Sequence, residues 1–201
     1  MPRMIKTNGS FFPQDPPSPF ILPAGNPIAE AAWSIGSEKG KQQLAVTRGD
    51  VVRMGLDPDT MYRYPVGFGR GLDGQYPVRL DIFHQLHCLN MLRKAANPDV
   101  FKAHFHSQQV GNRVLSWAEH VQHCQYALFQ MLTCQPDWAV LGFFSVNGTE
   151  PGPKLDFSIG RKCIDWEAFM RWREEHAMEF SDEEWRKIHS VPPKSSIIGS
   201  D

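Results

Sequence analysis

Two stretches decide how this chain folds: residues 80–92, which read LDIFHQLHCLNML, and residues 117–132, which read WAEHVQHCQYALFQML. Each repeats apolar side chains at intervals of three and four residues, which places them on one face of an α-helix. We therefore predict two central helices that pack through these faces and form the middle of the fold.

Helix-breaking residues set the expected limits of both helices. The apolar pattern begins near Arg79, and Asn97-Pro98 ends the first helix because proline cannot continue one. The second helix is expected to begin at Gly111 or Asn112 and to end at Leu132, and the next proline is Pro136.

Both predicted helices carry the motif His-x-x-His-Cys. Positions i, i+3 and i+4 share one helical face, so each helix presents two imidazoles and a thiol together. Imidazole is a good ligand for zinc, copper, iron and nickel. Two such helices facing each other would bring four imidazoles into one space, and the motifs therefore predict a metal site. The motif residues are His84, His87 and Cys88 in the first copy, and His120, His123 and Cys124 in the second.

Other interpretations of the motif compete with this one. Six of the chain's eight histidines lie between residues 84 and 123, and two identical copies are hard to explain by chance. The histidines can still be core residues with satisfied hydrogen bonds, beside cysteines that act as small apolar groups. A closed structural zinc site with thiolate ligands is a further alternative.

The segment between the motifs contributes two more candidate ligands, His104 and His106. A third imidazole from this segment would complete a second metal site. Side chains two residues apart point about 200° apart on a helix, so on a helix at most one of the two can face the site.

The four cysteines allow three disulfide connectivities. The symmetry of the motifs favours Cys88–Cys124 and Cys134–Cys163. Disulfides persist in oxidising compartments. The first 20 residues, however, lack the apolar segment of a signal peptide.

Composition excludes several classes of protein. The 201 residues are enough for one domain, or for one domain with tails. With 21 Lys and Arg against 22 Asp and Glu, the chain lacks the basic character typical of nucleic-acid binding. It has no run of 18 apolar residues, so we predict no transmembrane segment. A homo-oligomer is compatible with this composition.

The remaining pattern predicts a mainly α fold with short flanking helices and long irregular loops. One short helix is expected after Cys163, and a capping box at Ser181-Asp182-Glu183-Glu184 opens another. A minor β element is predicted near residues 139–146, where Ala139 to Phe144 are mostly apolar.

These residues resemble the UstYa-like proteins of fungal mycotoxin biosynthesis. The resemblance covers about residues 28–176 and depends first on the two His-x-x-His-Cys motifs. Further similar segments are Gly55 to Thr60, Leu92-Arg93, Met131 to Cys134, Asp156 to Ser158, and Cys163 to Trp166. It implies a catalytic domain at 28–176. The seven prolines within residues 1–27 predict an extended arm before this domain, and the pattern of residues 177–201 predicts a short helix with a flexible tail after it.

The resemblance also implies a function. Such proteins act on peptide and polyketide-type intermediates of secondary metabolism, through oxidative cyclisation, hydroxylation, desaturation or halogenation of C–H bonds. Their motif histidines are taken as copper ligands, which by position are His84, His87, His120 and His123. The expectation is a copper-dependent oxidase or oxygenase that uses O₂.

Some family members catalyse non-oxidative reactions. The alternatives are therefore a cyclase or transferase whose motif histidines act as acid and base, or a zinc-stabilised binding module. Family members typically have a membrane anchor near the N-terminus, which places the domain in the lumen of the secretory pathway. The sequence as given reads as soluble, and the expected compartment depends on whether an anchor was trimmed from it.

Overall fold

The computed structural model of the chain describes residues 3–8, 10, 15–110, 112–137, 139–144 and 154–189. The helices are α1 (Pro27–Trp33), α2 (Ile35–Glu38), α3 (Arg48–Arg53), α4 (Asp81–Ala95), α5 (Pro98–Phe101), α6 (Trp117–Cys134), α7 (Trp166–His176) and α8 (Asp182–His189). Short 3₁₀ turns cover Pro19–Ile21, Lys39–Lys41, Pro58–Thr60 and Lys102–His104. The prediction of a mainly α fold is confirmed.

The strands form four separate antiparallel pairs. They are β1 (Arg3–Lys6) with β8 (Gly160–Cys163), β2 (Leu44–Val46) with β3 (Tyr76–Val78), β4 (Gln108–Val110) with β5 (Arg113–Leu115), and β6 (Phe143–Phe144) with β7 (Lys154–Leu155). The last pair includes the minor β element predicted near residues 139–146. The first pair joins the N-terminal arm to the segment before α7.

The central helices α4 and α6 pack directly on each other. Between them, Cys88, Met91 and Cys124 form a buried cluster, against which Trp117 and Leu128 pack. The apolar faces predicted from the sequence thus meet as expected, and they place the two motifs side by side.

The predicted start of α6 was wrong by about five residues. The chain forms the β4–β5 hairpin first, with Val110 opposite Arg113, and the helix begins only at Trp117. A capping box sets this start, since the Ser116 hydroxyl accepts from the Glu119 backbone N–H and the Glu119 carboxylate accepts from the Ser116 backbone N–H. Gly-Asn pairs are typical of two-residue hairpin turns as well as of helix starts.

Helix α2 approaches α4 very closely through Gly36. A Cβ atom added there would lie 2.4 Å from the backbone nitrogen of His87. Only glycine permits this approach without moving the backbone. The contact brings the end of α2 to the side of the first motif.

Helix α1 is attached to α4 by a group of polar contacts. The Arg93 guanidinium donates to both carboxylate oxygens of Glu30, at 3.1 and 2.6 Å. Arg93 also lies over the ring of Trp33, and Asn90 donates to the Trp33 carbonyl at 3.2 Å. These contacts hold the N-terminal half of the chain on the motif helix.

A second buried cluster joins distant parts of the chain. Tyr64, Leu72 and Ile188 are all less than a tenth exposed and pack together. Because Ile188 belongs to α8, the C-terminal segment up to residue 189 is part of the core. The predicted flexible tail beyond it lies outside the described residues.

Besides the β1–β8 pair, the N-terminal arm contacts the body through its last part. Phe20 packs edge-to-face on Trp33, with ring centroids 5.3 Å apart, and its carbonyl accepts from the Trp33 indole at 3.2 Å. Within the described part of the chain, no helix has the length and apolar character needed to cross a membrane.

Candidate metal centre

The four motif histidines form two facing pairs between α4 and α6. The Nε2 atoms of His84 and His123 lie 3.4 Å apart, and those of His87 and His120 lie 3.5 Å apart. The rings of His84 and His87 are nearly parallel, with centroids 6.5 Å apart. The structure therefore places the pairs side by side, one helical turn apart along α4.

These distances fit metal coordination. Two nitrogens bound tetrahedrally to one ion at 2.0–2.1 Å lie roughly 3.3 Å apart. Two neutral imidazoles this close, with Nε2 facing Nε2, need a shared proton or a cation between them, because their lone pairs otherwise repel. The donor set of four imidazoles suits copper as well as zinc.

The surroundings of two of the four motif histidines lower their pKa values and favour their neutral form. Burial lowers the pKa of His87, and the neighbouring rings of His120 and His84 lower it further. Burial also lowers the pKa of His120, with further contributions from His123 and His84. Neutral imidazole is the form that binds a metal.

One sulfur lies close to the His84–His123 pair. The Cys88 Sγ atom is 3.6 Å from His84 Nε2. The ligand atoms of His84, Cys88 and His123 all lie within 4.8 Å of one another. The His84–His123 pair therefore has a thiol beside it, and no described thiol is grouped in this way with the His87–His120 pair.

The predicted disulfides are absent from the structure, in which Cys88, Cys124, Cys134 and Cys163 are all free. Cys88 and Cys124 do contact each other at the helix interface, where burial raises both thiol pKa values, that of Cys124 to about 12. They act here as small apolar groups in the core. Cys134 lies exposed at the end of α6, and Cys163 lies at the end of β8.

A carboxylate lies behind His84. The Asp81 carboxylate is 3.5 Å from His84 Nδ1 and accepts a hydrogen bond from Gln85 at 2.7 Å. Metal-binding histidines commonly donate their second nitrogen to such a carboxylate, which orients the ring. The corresponding nitrogen of His120 is buried and has no hydrogen-bond partner among the residues the structure describes.

The structure does not bring His104 or His106 to this centre. Both are exposed, and neither belongs to a group of ligand atoms in the described chain. The residue between them, Phe105, stacks on Trp117 with ring centroids 4.5 Å apart. Phe105 is half-buried by this contact, and the histidines on either side of it are exposed to solvent.

A cavity of about 500 Å³ opens beside the histidines of the first motif. His84 and His87 form one wall, and the other lining residues come from α2, the turn after it and the start of α4. They are Gly36, Ser37, Lys41, Arg79, Leu80 and Asp81. A small organic molecule can therefore approach two of the four imidazoles.

The far wall of this cavity was not predicted from the motifs. Ser37, Lys41 and Arg79 belong to no recognisable motif. Ser37 and Lys41 reach the site only because Gly36 lets α2 approach α4, whereas Arg79 lies two residues before α4. The one local signal was a glycine inside a short helical segment, where glycine is unfavourable unless a close contact requires it.

Comparison with known proteins defines the family. Residues 3–176 match the family model described as mycotoxin biosynthesis protein UstYa. The chain therefore belongs to the UstYa family, as the two motifs predicted. No solved structure matches the chain.

Several curated relatives carry the name UstYa family oxidase. The oxidase aprY of Aspergillus flavus is 35% identical over 176 residues, which cover 86% of this chain and 51% of aprY. The oxidase phomYc' of Diaporthe leptostromiformis is 27% identical over 104 residues, which cover 50% of this chain and 39% of phomYc'. VicYc of Bipolaris victoriae is 40% identical over 47 residues, which cover 23% of this chain and 48% of VicYc. The chain thus spans about half the length of aprY.

Proposed function

We propose that this chain is a copper-dependent oxidoreductase of fungal secondary metabolism, in which His84, His87, His120 and His123 hold the metal. The observation that carries the proposal is the facing of two imidazole pairs, with Nε2 atoms 3.4 and 3.5 Å apart, beside an open cavity. The names of the relatives, all called oxidases, support the reaction class.

Copper bound here would supply one-electron redox chemistry with O₂ as the oxidant. The residues of this chain hold and orient the groups around it. The Nε2 atoms of the four histidines bind the metal, and Asp81, kept in place by Gln85, orients the ring of His84. We propose that the cavity binds a peptide or polyketide-type intermediate with a C–H bond directed towards His84 and His87.

The test is metal content under competition. Purified protein is loaded with copper and zinc together, and bound metals are counted by elemental mass spectrometry. We expect copper at one or two ions per chain, with bound copper reduced by at least half in His84→Ala and in His120→Ala. Each variant removes one member of a different pair.

His104→Ala is the matched control, since His104 is exposed and belongs to no group of ligand atoms in the described part of the chain. It should bind copper like the unaltered protein. Full copper binding by both motif variants would contradict the proposed ligand set. Tight zinc that copper does not displace would instead favour a zinc-stabilised module.

A second candidate function is a non-oxidative cyclase or transferase. The observation in its favour is that His84 and His87 line the cavity directly, where an imidazole can exchange a proton with a bound substrate. Exhaustive chelation separates the two functions. An acid–base enzyme keeps its activity after the metal is removed, whereas a copper oxidase loses it and regains it when copper is restored.

A further inference from the structure

A second cavity adjoins the one beside the histidines. Its volume is about 490 Å³, and its lining includes Phe180, Trp185 and the acidic residues Glu38, Glu179 and Asp182. Lys41 and Arg79 line both cavities. These two cations therefore lie on the border between the metal centre and the second chamber.

The fold brings the two cations together from distant parts of the sequence. Lys41 ends the 3₁₀ turn after α2, three residues before β2, and Arg79 directly follows β3. In the β2–β3 pair, Leu44 lies opposite Val78, so the chain before β2 runs beside the chain after β3. Two positive charges thus come to the same place on the cavity wall.

Neither cation is neutralised by a described carboxylate. Other basic residues nearby do have acidic partners: Lys39 pairs with Glu174, and Arg70 pairs with Glu184. No ion pair involves Lys41 or Arg79 in the described ranges. Arg79 lies over the ring of Trp185, 5.9 Å from its centroid. This cation–π contact positions the guanidinium but does not pair it with an anion.

Two of the acidic residues nearby already accept hydrogen bonds. Asp81 accepts from Gln85 and faces His84, and Glu179 accepts a hydrogen bond from Gln42. In the cavity beside the histidines, Lys41 and Arg79 face one lining carboxylate, that of Asp81, whereas Glu38, Glu179 and Asp182 line the second cavity. The lining of the first cavity is therefore net positive, and Leu80 adds apolar surface to it. This combination fits a molecule that has an apolar body and an anionic group.

We propose that Lys41 and Arg79 form a subsite for a carboxylate of the substrate. A carboxylate held there places the neighbouring part of the molecule against His84 and His87. This inference deepens the proposed function by naming a chemical class, a carboxylate-bearing peptide-like substrate. The carboxylate is either a peptide C-terminus or an acidic side chain.

Binding of defined peptides to the purified protein tests this subsite. Isothermal titration calorimetry compares acetyl-Phe-Ala-Phe with a free carboxylate, the same peptide as its C-terminal amide, and acetyl-Phe-Glu-Phe amide. Charge-assisted hydrogen bonds predict that the free acid binds at least about tenfold more tightly than the neutral amide. Tighter binding of the Glu-containing amide than of the neutral amide would assign the subsite to an acidic side chain as well.

Lys41→Met and Arg79→Met should each remove most of this preference. Lys39→Met is the matched control, because Lys39 precedes the subsite in the same turn and pairs with Glu174. It should keep the full preference. Circular dichroism checks that each variant is folded.

Three results would overturn the proposal: equal binding of acid and amide, a preference that survives in both Met variants, and no binding of any peptide at millimolar concentration. Metal content is measured on the same samples, so that failure of the carboxylate subsite can be distinguished from failure of the proposed copper function. A protein that binds no copper but prefers the acid retains the subsite and loses the copper hypothesis.

Discussion

The two cysteines of the repeated motif have different neighbours although their sequence context is the same. Cys88 Sγ lies within reach of the ligand atoms of His84 and His123, whereas Cys124 is in no such group among the residues described. Both thiols are fully buried at the α4–α6 interface. A repeated motif thus gives one sulfur beside the facing imidazoles and one that only packs.

This difference predicts opposite effects of two equivalent substitutions. Cys88→Ser should weaken copper binding by about tenfold or more, the usual cost of changing a group next to metal ligands. Cys124→Ser should leave copper affinity within about threefold and should mainly lower the stability, because it introduces a hydroxyl into the core. Competition with a chelator of known affinity measures the first effect, and urea unfolding measures the second. Equal loss of copper affinity in both variants would contradict the assignment.

At the scale of elements, the contact between α2 and α4 connects the cavity to the motif. The position that a Cβ of residue 36 would occupy lies 2.4 Å from a backbone nitrogen and 2.8 Å from a backbone carbon of α4. Backbone atoms cannot move aside as a side chain can, so any larger residue must push the helices apart.

Gly36→Ala should therefore lower the free energy of unfolding by about 1–3 kcal/mol, the usual cost of overpacking. It should also weaken copper binding, because it displaces the backbone of His87. Gly49→Ala is the control, since the nearest atom there is a flexible arginine nitrogen 3.5 Å away. Urea unfolding and copper titration of both variants check this. Unchanged stability of Gly36→Ala would show that the two helices are not in this contact.

The pairing of Glu30 with Arg93 predicts a pH-dependent attachment of α1 to α4. Burial alone would raise the pKa of Glu30, but hydrogen bonds from Arg93 and from the Gly25 backbone outweigh it, and the pKa lies below its ordinary 4.5. The pKa of Glu30 returns to its ordinary value when the chain unfolds. The pair therefore stabilises the folded protein above pH 4.5, and this stabilisation is lost as the pH falls through the lowered pKa of the folded state.

Glu30→Gln should cost about 1–3 kcal/mol at pH 7, the worth of hydrogen bonds to a charged group. The difference from the unaltered protein should shrink as the pH falls below 4.5, which urea unfolding across this range measures. Glu183→Gln is the control, since its pairing with Lys187 is exposed and should contribute less than about 1 kcal/mol. A constant difference across the pH range would exclude the ionised pair as the cause.

In the whole molecule, the C-terminal helix completes a second core cluster, separate from the one between α4 and α6. Ile188 is fully buried against Tyr64 and Leu72, which come from the loops before the motif helices. Met178 and Gln43 exchange backbone hydrogen bonds and join the two regions a second time. The end of the described chain therefore stabilises the loops that lead into β3 and α4.

Ile188→Ala should lower the free energy of unfolding by about 2–5 kcal/mol, and Ile188→Val by about 0.5–1.5 kcal/mol. Val52→Ala, at an exposed position of α3, should change it by less than about 0.5 kcal/mol. Urea unfolding of the three variants measures these costs. An effect of Ile188→Ala no larger than that of Val52→Ala would mean that α8 does not pack into the core.

Local sequence signals predicted the main helices and the chemistry of the candidate ligands. Apolar spacing of three and four, the proline after residue 97 and the capping residues are local signals, and they predicted α4, α7 and α8. The repeated His-x-x-His-Cys placed two imidazoles on one face of each helix, and this required only the helical period. The same motifs predicted the family.

Only the tertiary structure decided which of these residues meet. His84 faces His123, and His87 faces His120, because of how α4 crosses α6, a relation that no single helix encodes. Phe105, rather than His104 or His106, turns inward because it packs on Trp117. Lys41 and Arg79 share a cavity wall because Gly36 and the β2–β3 register bring distant segments together. Contacts between remote segments depend on packing, which a local sequence pattern does not contain.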